Sequence, residues 1–382
     1  MNTKTRLIVI VVVVIGLIFT GTMIVAGSRP VTVKTSSAPP ASKAIVFLNG
    51  AAGFVTPLAG GYLYFNKNTR GLNFSGPSGT QDVTAEYLIT ADPSPSKIYG
   101  GDSVQNTVVN IEATSTGAAV VTTTRGVFIA SSSLAVKHLP EYLPSHLNFT
   151  ASSYDASTNS LYLIAANSKA VYRYKLSQPS SAPVVVYTAT SDINKVTASG
   201  GKMIIYFDDV PSTEPAVLTE YAKNHQLDPL VIDTATLKPK SALSGFQVAT
   251  YVSLSASGKY VAIKRKLEGT ITLKALASGK TYIVPSYDTG GAGWAGDTFY
   301  LARAKAVWSF NTMDAASSLL AVATIQTPIT ELRSEGQEVI LSTNTNQSAS
   351  LIPQTATNSK PIYQTLTTPS TPYAYADVPP EN

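Results

Sequence analysis

The chain lacks cysteine altogether, and charged residues make up only 13% of its 382 positions. The absence of cysteine excludes disulfide bonds, thiol chemistry, a cysteine-ligated zinc site and a lipid anchor on a processed N-terminal cysteine. Lys and Arg number 28 against 23 Asp and Glu, and the basic residues are scattered rather than interleaved with aromatics. A nucleic-acid surface needs such a basic patch, so the sequence predicts no nucleic-acid partner.

Histidine is also scarce, with three in the whole chain. His138 and His146 flank a Pro-bracketed connection, and His225 lies in a long polar segment, 208–228. No two of them have the H-x-H or H-E-x-x-H spacing that is typical of a metal site. The pattern favours surface or loop histidines.

One group of carboxylates offers an alternative. Asp208 and Asp209 follow a predicted strand, and with Glu214 or Glu220 and His225 they form a candidate cation site. Adjacent carboxylates after a strand are more often a solvated turn, and we favour that interpretation. No nucleophile elbow, phosphate-binding loop or dinucleotide fingerprint occurs in a strand–turn–helix context. The sequence thus predicts no catalytic, cofactor-binding or metal-binding residues and no cofactor.

The segment 7–27 is free of charge and dominated by aliphatic residues. At 1.5 Å per residue it reaches across a hydrocarbon core of ~30 Å, which predicts a transmembrane helix that acts as a signal anchor. Lys4 and Arg6 precede it and favour a cytoplasmic N-terminus, residues 1–6. The alternative is a cleaved signal peptide, since Val25-Ala26-Gly27 offers small residues at a possible cleavage site. Either way, the rest of the chain is predicted to be extracytoplasmic.

The predicted anchor is followed by a stalk and a single folded domain. Residues 28–43 are rich in Ser and Pro and lack periodicity, as a semi-rigid stalk does. Residues 44–366 form the predicted domain, and 367–382 form a Pro-rich tail predicted to be disordered. The predicted location is therefore a cell membrane, single-pass, with the C-terminal domain outside the cytoplasm.

Between the tails, short β-rich runs recur with turn residues between them, which is typical of an all-β sandwich, barrel or propeller. Self-similar units begin near residues 54, 107, 149, 193, 248, 293 and 329. Their spacing is near the ~40 to 50 residues of propeller repeats. The sequence therefore predicts an all-β fold, a β-propeller of seven four-stranded blades.

The fifth unit carries the clearest blade pattern, four short strands joined by three tight turns over residues 253–285. In it, Ser255, Gly258-Lys259-Tyr260 and Ala262 fall where the repeats of periplasmic Tol-type propellers have S-x-D-G-K-x-x-A, with Ser257 in place of the aspartate. The unit resembles those repeats. This resemblance covers one blade and implies the fold rather than a function.

The third unit is similar to blades of lactonase-like and NHL-type propellers. The residues that carry this resemblance are Leu161-Tyr162 and Val171-Tyr172-Arg173-Tyr174. Trp294 and Trp308 offer surfaces for stacking on a sugar or a partner, but packing between blades is the favoured interpretation.

Two further expectations concern the ends and the longest loop. Residues 44–48 are apolar and are predicted to pair with the last blade, as its outer strand, and so close the ring. Residues 208–228 interrupt the fourth unit and are predicted to project from the disc.

Two classes of function fit this organisation. The first is a membrane-anchored binding or scaffold module of a bacterial-type cell envelope, with a protein or glycan partner on the propeller face. The alternative is an exported propeller enzyme, a hydrolase or lyase acting on envelope carbohydrate. A buried cluster of Asp, Glu or His at the mouth of the central channel would favour the enzyme. A channel lined by Ser, Thr and aliphatic residues would favour the binding module.

Overall fold

The computed structural model describes residues 28–30, 33–34, 45–49, 52–66, 71–76, 79–83, 108–124, 126–139, 148–179, 181–207, 215–246, 249–265, 269–286, 291–303, 306–311, 319–325, 329–335, 338–343, 351–353 and 373–376. The predicted transmembrane segment 7–27 lies outside them. In this part of the chain, no helix has both the length and the apolar character needed to cross a bilayer.

Strands dominate the described residues. Three short ones come first: β1 (Ser28–Pro30), β2 (Val33–Lys34) and β3 (Ile45–Asn49). Six blades follow, each built on four consecutive antiparallel strands in simple chain order. Blade 1 comprises β4 (Ala52–Leu58), β5 (Gly61–Asn66), β6 (Gly71–Gly76) and β7 (Gly79–Asp82). Blade 2 comprises β8 (Val108–Ala113), β9 (Ala119–Thr123), β10 (Gly126–Ala130) and β11 (Val136–Leu139). Blade 3 comprises β12 (Phe149–Asp155), β13 (Ser160–Ala165), β14 (Ala170–Lys175) and β15 (Val184–Thr188). Blade 4 comprises β16 (Lys195–Ser199), β17 (Lys202–Tyr206), β18 (Leu230–Asp233) and β19 (Pro239–Ala242). Blade 5 comprises β20 (Ala249–Leu254), β21 (Tyr260–Arg265), β22 (Thr270–Ala275) and β23 (Thr281–Pro285). Blade 6 comprises β24 (Ala292–Ala295), β25 (Thr298–Arg303), β26 (Ala306–Asn311) and β27 (Leu319–Ile325). Two of these sheets are extended by the early strands, since β1 pairs parallel with β23 of blade 5 and β2 pairs parallel with β27 of blade 6.

A further sheet is composite. The hairpin of β28 (Ile329–Glu335) and β29 (Glu338–Thr343) is extended by β3, which runs parallel to β29. A last strand, β31 (Tyr373–Ala376), pairs antiparallel with β3. The remaining strand, β30 (Leu351–Pro353), pairs with β27 of blade 6. The prediction of seven four-stranded blades is therefore wrong in its count: the structure has six blades of four consecutive strands, and the additional sheet is assembled from segments that are distant in sequence.

The first strands of the sheets form the inner ring. Each contacts the first strand of the next sheet, and β28 of the composite sheet contacts β4 of blade 1. Their starts lie within three residues of the unit starts predicted from the sequence. The predicted pairing of 44–48 with the last sheet is confirmed, although β31 lies outside β3, so β3 is not the outer strand.

The core lies between the blades. The second strands β9 and β13 are buried along their whole length. Both faces of a blade pack against neighbouring blades, which is why these strands contain no charged residue and do not alternate between buried and exposed positions. The layer between blades 3 and 4, for example, brings Tyr162 and Ile164 together with Met203 and Ile205.

The two faces of the disc differ in their connections. We call the face that carries the turns between the first and second strands the lower face. The upper face carries the starts of the first strands and the links between the second and third strands. On the lower face, the turn of blade 3 is fastened by Asp155, which is fully buried. Its carboxylate accepts bonds from Ser157 Oγ and Thr158 Oγ1 of its own turn, and from Thr234 Oγ1 of blade 4 at 2.8 Å.

The neighbouring turns are joined in the same way. Ser199 Oγ of blade 4 donates to the carbonyl of Ala256 in blade 5 at 3.3 Å. Ser257 Oγ of blade 5 donates to Asp297 Oδ1 of blade 6 at 2.7 Å. Ser257 occupies the place where the Tol-type pattern has aspartate, so here a carboxylate from the next blade fastens the turn.

Two glycines let the turns of blades 4 and 5 interlock. Gly200 has φ +56°, and a Cβ there would lie 2.1 Å from the carbonyl carbon of Ser257. A Cβ on Gly258, with φ +66°, would lie 2.7 Å from the carbonyl oxygen of Gly200. Only glycine provides both the left-handed backbone and the missing side chain that this approach requires.

We expect Gly200→Ala to destabilise the protein strongly, because the new methyl group meets backbone atoms that cannot move without separating two blades. Gly201→Ala is a matched control, since Gly201 also has a positive φ of +77° but its Cβ would meet only Ser157 Oγ at 3.6 Å. The control measures the cost of placing a side chain in the left-handed backbone region, about 1 to 2 kcal/mol of unfolding free energy. Chemical denaturation should show that Gly200→Ala lowers the free energy of unfolding by about 1 to 3 kcal/mol more than Gly201→Ala does. Equal stability of the two variants would contradict the interlocking of the turns.

Candidate functional site

The long segment 208–228 contains a helix that the sequence analysis missed. Helix α1 (Pro215–Ala222) lies between β17 and β18 of blade 4, on the upper face. Its signals are present in the sequence, because proline is favoured at the first helical position and the residues after it include the good helix formers Ala216 and Leu218. Glu220 and Lys223 form an exposed ion pair at its end.

A cavity of about 240 Å³ lies between the C-terminal end of α1 and the junction of blades 3 and 4. Its floor includes the buried side chains of Phe207 and Leu227. One wall includes Tyr221 and His225, whose rings stack in parallel at 3.7 Å between centroids. We call this space the α1 cavity.

The rim of the α1 cavity is polar. It comprises Lys169 from blade 3, Thr190 and Asp192 from the link between blades 3 and 4, and Asn224 and Gln226 after α1. These described residues include one ammonium and one carboxylate among neutral hydroxyl and amide groups, so together they offer hydrogen-bond donors and acceptors with no net charge.

A hydrogen bond fixes the segment after α1 to the link between blades 3 and 4, and further bonds order the segment itself. The amide of Gln226 donates to the buried hydroxyl of Ser191 at 2.7 Å, and Gln226 Nε2 donates to the carbonyl of Asp228 at 3.0 Å. His225 Nδ1 lies 3.0 Å from the carbonyl of Tyr221. Partial burial raises the pKa of Asp228, against the opposing effect of backbone hydrogen bonds from Gly245 and Phe246. The insertion is therefore anchored to the blades at its C-terminal side.

The second cavity at α1, of about 520 Å³, is shallower and more apolar. Ala216 and Val217 line it together with Tyr221 and His225, so the stacked pair contributes to both cavities. Val217 is 36% exposed. This apolar side of α1 and the polar α1 cavity together give the upper face a continuous surface of mixed character.

The residues of the candidate cation site are not brought together in the part of the chain that is described. Asp208, Asp209 and Glu214 lie outside it, and Glu220 is exposed and paired with Lys223. No cluster of three or more His, Asp or Glu side chains suited to a metal occurs among the described residues. His146 also lies outside these residues, and His138 is on β11.

The tryptophans have the structural role that the sequence favoured. Trp294 is 4% exposed, and its indole Nε1 donates to the carbonyl of Ser253 in the neighbouring blade at 3.2 Å. Trp308 packs against the same apolar cluster between blades 5 and 6. In this fold they stabilise the contacts between blades.

Sequence reasoning did not single out Glu112, on the innermost strand β8. Its carboxyl lies between blades 2 and 3, where Glu112 Oε1 accepts bonds from Tyr154 N at 3.0 Å and Ser153 Oγ at 3.3 Å. Burial raises the pKa of Glu112 to about 7, outweighing the two hydrogen bonds that lower it. The only sequence signal was a carboxylate within an otherwise uncharged strand, VVNIEA.

Comparison with known proteins supports the fold. No protein-family model matches the chain, and no curated protein sequence matches it. A chain from a crystal structure of a mitotic checkpoint complex is similar over 91% of this chain and 97% of its own length, with a TM-score of 0.51 and 10% identity. Virginiamycin B lyase from Staphylococcus aureus is similar over 87% of this chain and 98% of its own, with a TM-score of 0.51 and 7% identity. At such low identity these similarities establish the fold, a β-propeller, and nothing about the ligand.

We expect Glu112→Gln to change how stability depends on pH. A carboxyl whose pKa rises from 4.5 to about 7 on folding binds more protons in the folded state, so the free energy of unfolding falls as pH rises between these values. The total effect is up to about 3 kcal/mol. Glutamine keeps the accepting oxygen but does not ionise. The variant should therefore be more stable than the parent at pH 8 and similar at pH 4.5.

Urea unfolding at the two pH values measures this difference. Glu220→Gln is the control, because Glu220 is exposed and its removal should change stability by less than about 0.5 kcal/mol at either pH. An unchanged pH dependence in Glu112→Gln would show that the carboxyl is solvated in the native protein.

Proposed function

We propose that the chain is a membrane-anchored, extracytoplasmic β-propeller that serves as a binding or scaffold module of a bacterial-type cell envelope. The observation that carries the binding role is the surface formed by α1 and its two cavities on the upper face. Loops and insertions commonly carry recognition on a rigid scaffold. The membrane anchor and the envelope location rest on the apolar segment 7–27 and the Ser/Pro-rich segment 28–43 of the sequence.

A comparison with the lower face also favours the upper face as the binding surface. On the lower face, the described turns between first and second strands are short, and Asp155, Ser199 and Ser257 at these turns bond to adjacent blades. Groups committed to such contacts are less available for a partner. The upper face carries the exposed Val217 and the amide groups of Asn224 and Gln226, which are kinds of group that a partner contacts.

The binding role predicts that Val217→Asp abolishes capture of the natural partner, because a charge placed in the apolar cavity would be desolvated on binding. Val185→Asp is a matched control, since Val185 is also an exposed valine, 54% exposed, on the outer strand β15. Full-length protein in envelope membranes would be crosslinked, and the proteins recovered with each variant compared. Equal recovery with both variants would mean that α1 is not the binding surface.

The anchor predicts that a reporter fused after Asn382 lies outside the cytoplasm, because Lys4 and Arg6 hold the N-terminus inside. Protease added to intact cells should digest the fusion, and a cytoplasmic protein serves as the protected control. Protection of the fusion would overturn the topology. A soluble product that begins near Ser28 would identify segment 7–27 as a cleaved signal peptide.

An exported carbohydrate-active enzyme is the second candidate, and Glu112 is the observation that favours it. A carboxyl with a pKa near neutrality on an innermost strand has the property required of a general acid or base. Glycoside hydrolysis usually needs a second carboxyl about 5 to 10 Å away. Asp155, the buried carboxylate on the adjacent innermost strand, is instead committed to hydroxyl groups of its own and the next blade. The binding role therefore has the stronger support.

A further inference from the structure

We infer that the α1 cavity binds a single neutral sugar ring, as an element of a glycan. This inference names the ligand class for the site and rests on the proposed function. The volume of about 240 Å³ is smaller than the roughly 300 to 1,000 Å³ of pockets for drug-sized ligands. The occupant is therefore a small molecule or one residue of a polymer whose remainder lies outside.

A small part of the cavity lining suits the carbon face of a ring. Phe207 and Leu227 are almost fully buried and add a little apolar surface, and Tyr221 and His225, whose rings stack on each other, add aromatic surface. A sugar ring presents C–H groups on its faces and hydroxyl groups around its edge. Such a ligand removes apolar surface from water at the floor while its polar groups stay at the rim.

The rim suits hydroxyl groups. The amide of Asn224 and the hydroxyl of Thr190 each donate and accept, the carboxylate of Asp192 accepts, and the ammonium of Lys169 donates. A hydroxyl group also donates and accepts, so it can bond to each of these groups. A purely apolar ligand would leave this rim desolvated and unpaired.

The electrostatics disfavour an anionic ligand. The cavity lies at the C-terminal end of α1, where Tyr221, Asn224 and His225 line it, and this is the negative end of the helix dipole. Among the described residues that line the cavity, Lys169 is the single cation, and Asp192 offsets its charge. A phosphorylated or carboxylated sugar would meet both the carboxylate and the helix end. The preferred ligand therefore carries no charge.

The test is isothermal titration of the full-length protein, in detergent, with glucose, N-acetylglucosamine and glucose 6-phosphate. We expect at least one neutral sugar to bind in the millimolar range or tighter, and glucose 6-phosphate to bind at least about tenfold more weakly than glucose. Failure of both neutral sugars to bind at about 50 mM would overturn the inference. Tighter binding of glucose 6-phosphate would overturn the assignment of a neutral ligand.

Variants locate the binding. Thr190→Ala and Asn224→Ala should each lower the affinity for the neutral sugar by up to about tenfold, because each removes one hydrogen bond. Thr188→Ala is the matched control, because Thr188 is also an exposed threonine, lies two positions away on β15 and does not line the cavity. Unchanged affinity in both cavity variants would place the sugar elsewhere.

The sugar-binding test and the test of the proposed function can fail independently. If Val217→Asp abolishes partner capture but no neutral sugar binds, the upper face is the binding surface and the ligand class is wrong. If the sugar binds in the α1 cavity but capture is unaffected by Val217→Asp, the ligand class stands and the proposed partner surface is wrong.

Discussion

Pairing between β3 and β29 is the contact on which the rest of the disc depends. A four-stranded blade is apolar on both faces and cannot be stable without a neighbour on each side, so a row of blades must close into a ring. Here β3 lies parallel to β29 over Ile45–Asn49, and β28 contacts β4. The buried side chains of Val55, Tyr62 and Tyr64 from blade 1 pack with Ile340 of β29 across the same junction. The two ends of the chain are therefore held in one sheet, and every blade between them gains two partners.

Closure of the ring explains why the two faces differ. The first strands converge at the centre, and the turns that follow them approach closely enough for Gly200 to require the absence of a side chain. At that distance, polar groups bond from one blade to the next. The links on the upper face have no such restriction, so the connection between β17 and β18 accommodates α1 without disturbing the sheet. A long surface insertion costs little conformational free energy once its ends are fixed, and Ser191 and Gln226 fix one of these ends.

The sequence predicts the local pattern well and the contacts between blades poorly. The strands of blades 3 and 5 follow directly from turn residues and apolar runs, since these are local properties. The composite sheet depends on pairing between residues about 300 positions apart, and only the apolar character of 44–48 indicated it. A repeated feature was also missed: β12 and β20 each bulge at an exposed threonine, Thr150 and Thr250, immediately after a buried residue. A bulge changes the hydrogen-bond register without changing the composition, so it leaves little trace in a single sequence.

The same limit applies to the carboxyl groups. Asp155 and Glu112 both lie near the lower end of innermost strands, and in sequence each is an acidic residue beside a turn. The structure surrounds Asp155 with three hydroxyl donors from two blades, whereas the accepting oxygen of Glu112 has one hydroxyl and one amide donor. Burial between blades 2 and 3 raises the pKa of Glu112 against the effect of its two donors. The surroundings of each carboxyl are therefore set by the turn that the adjacent blade presents, a property of the closed ring that no single blade contains.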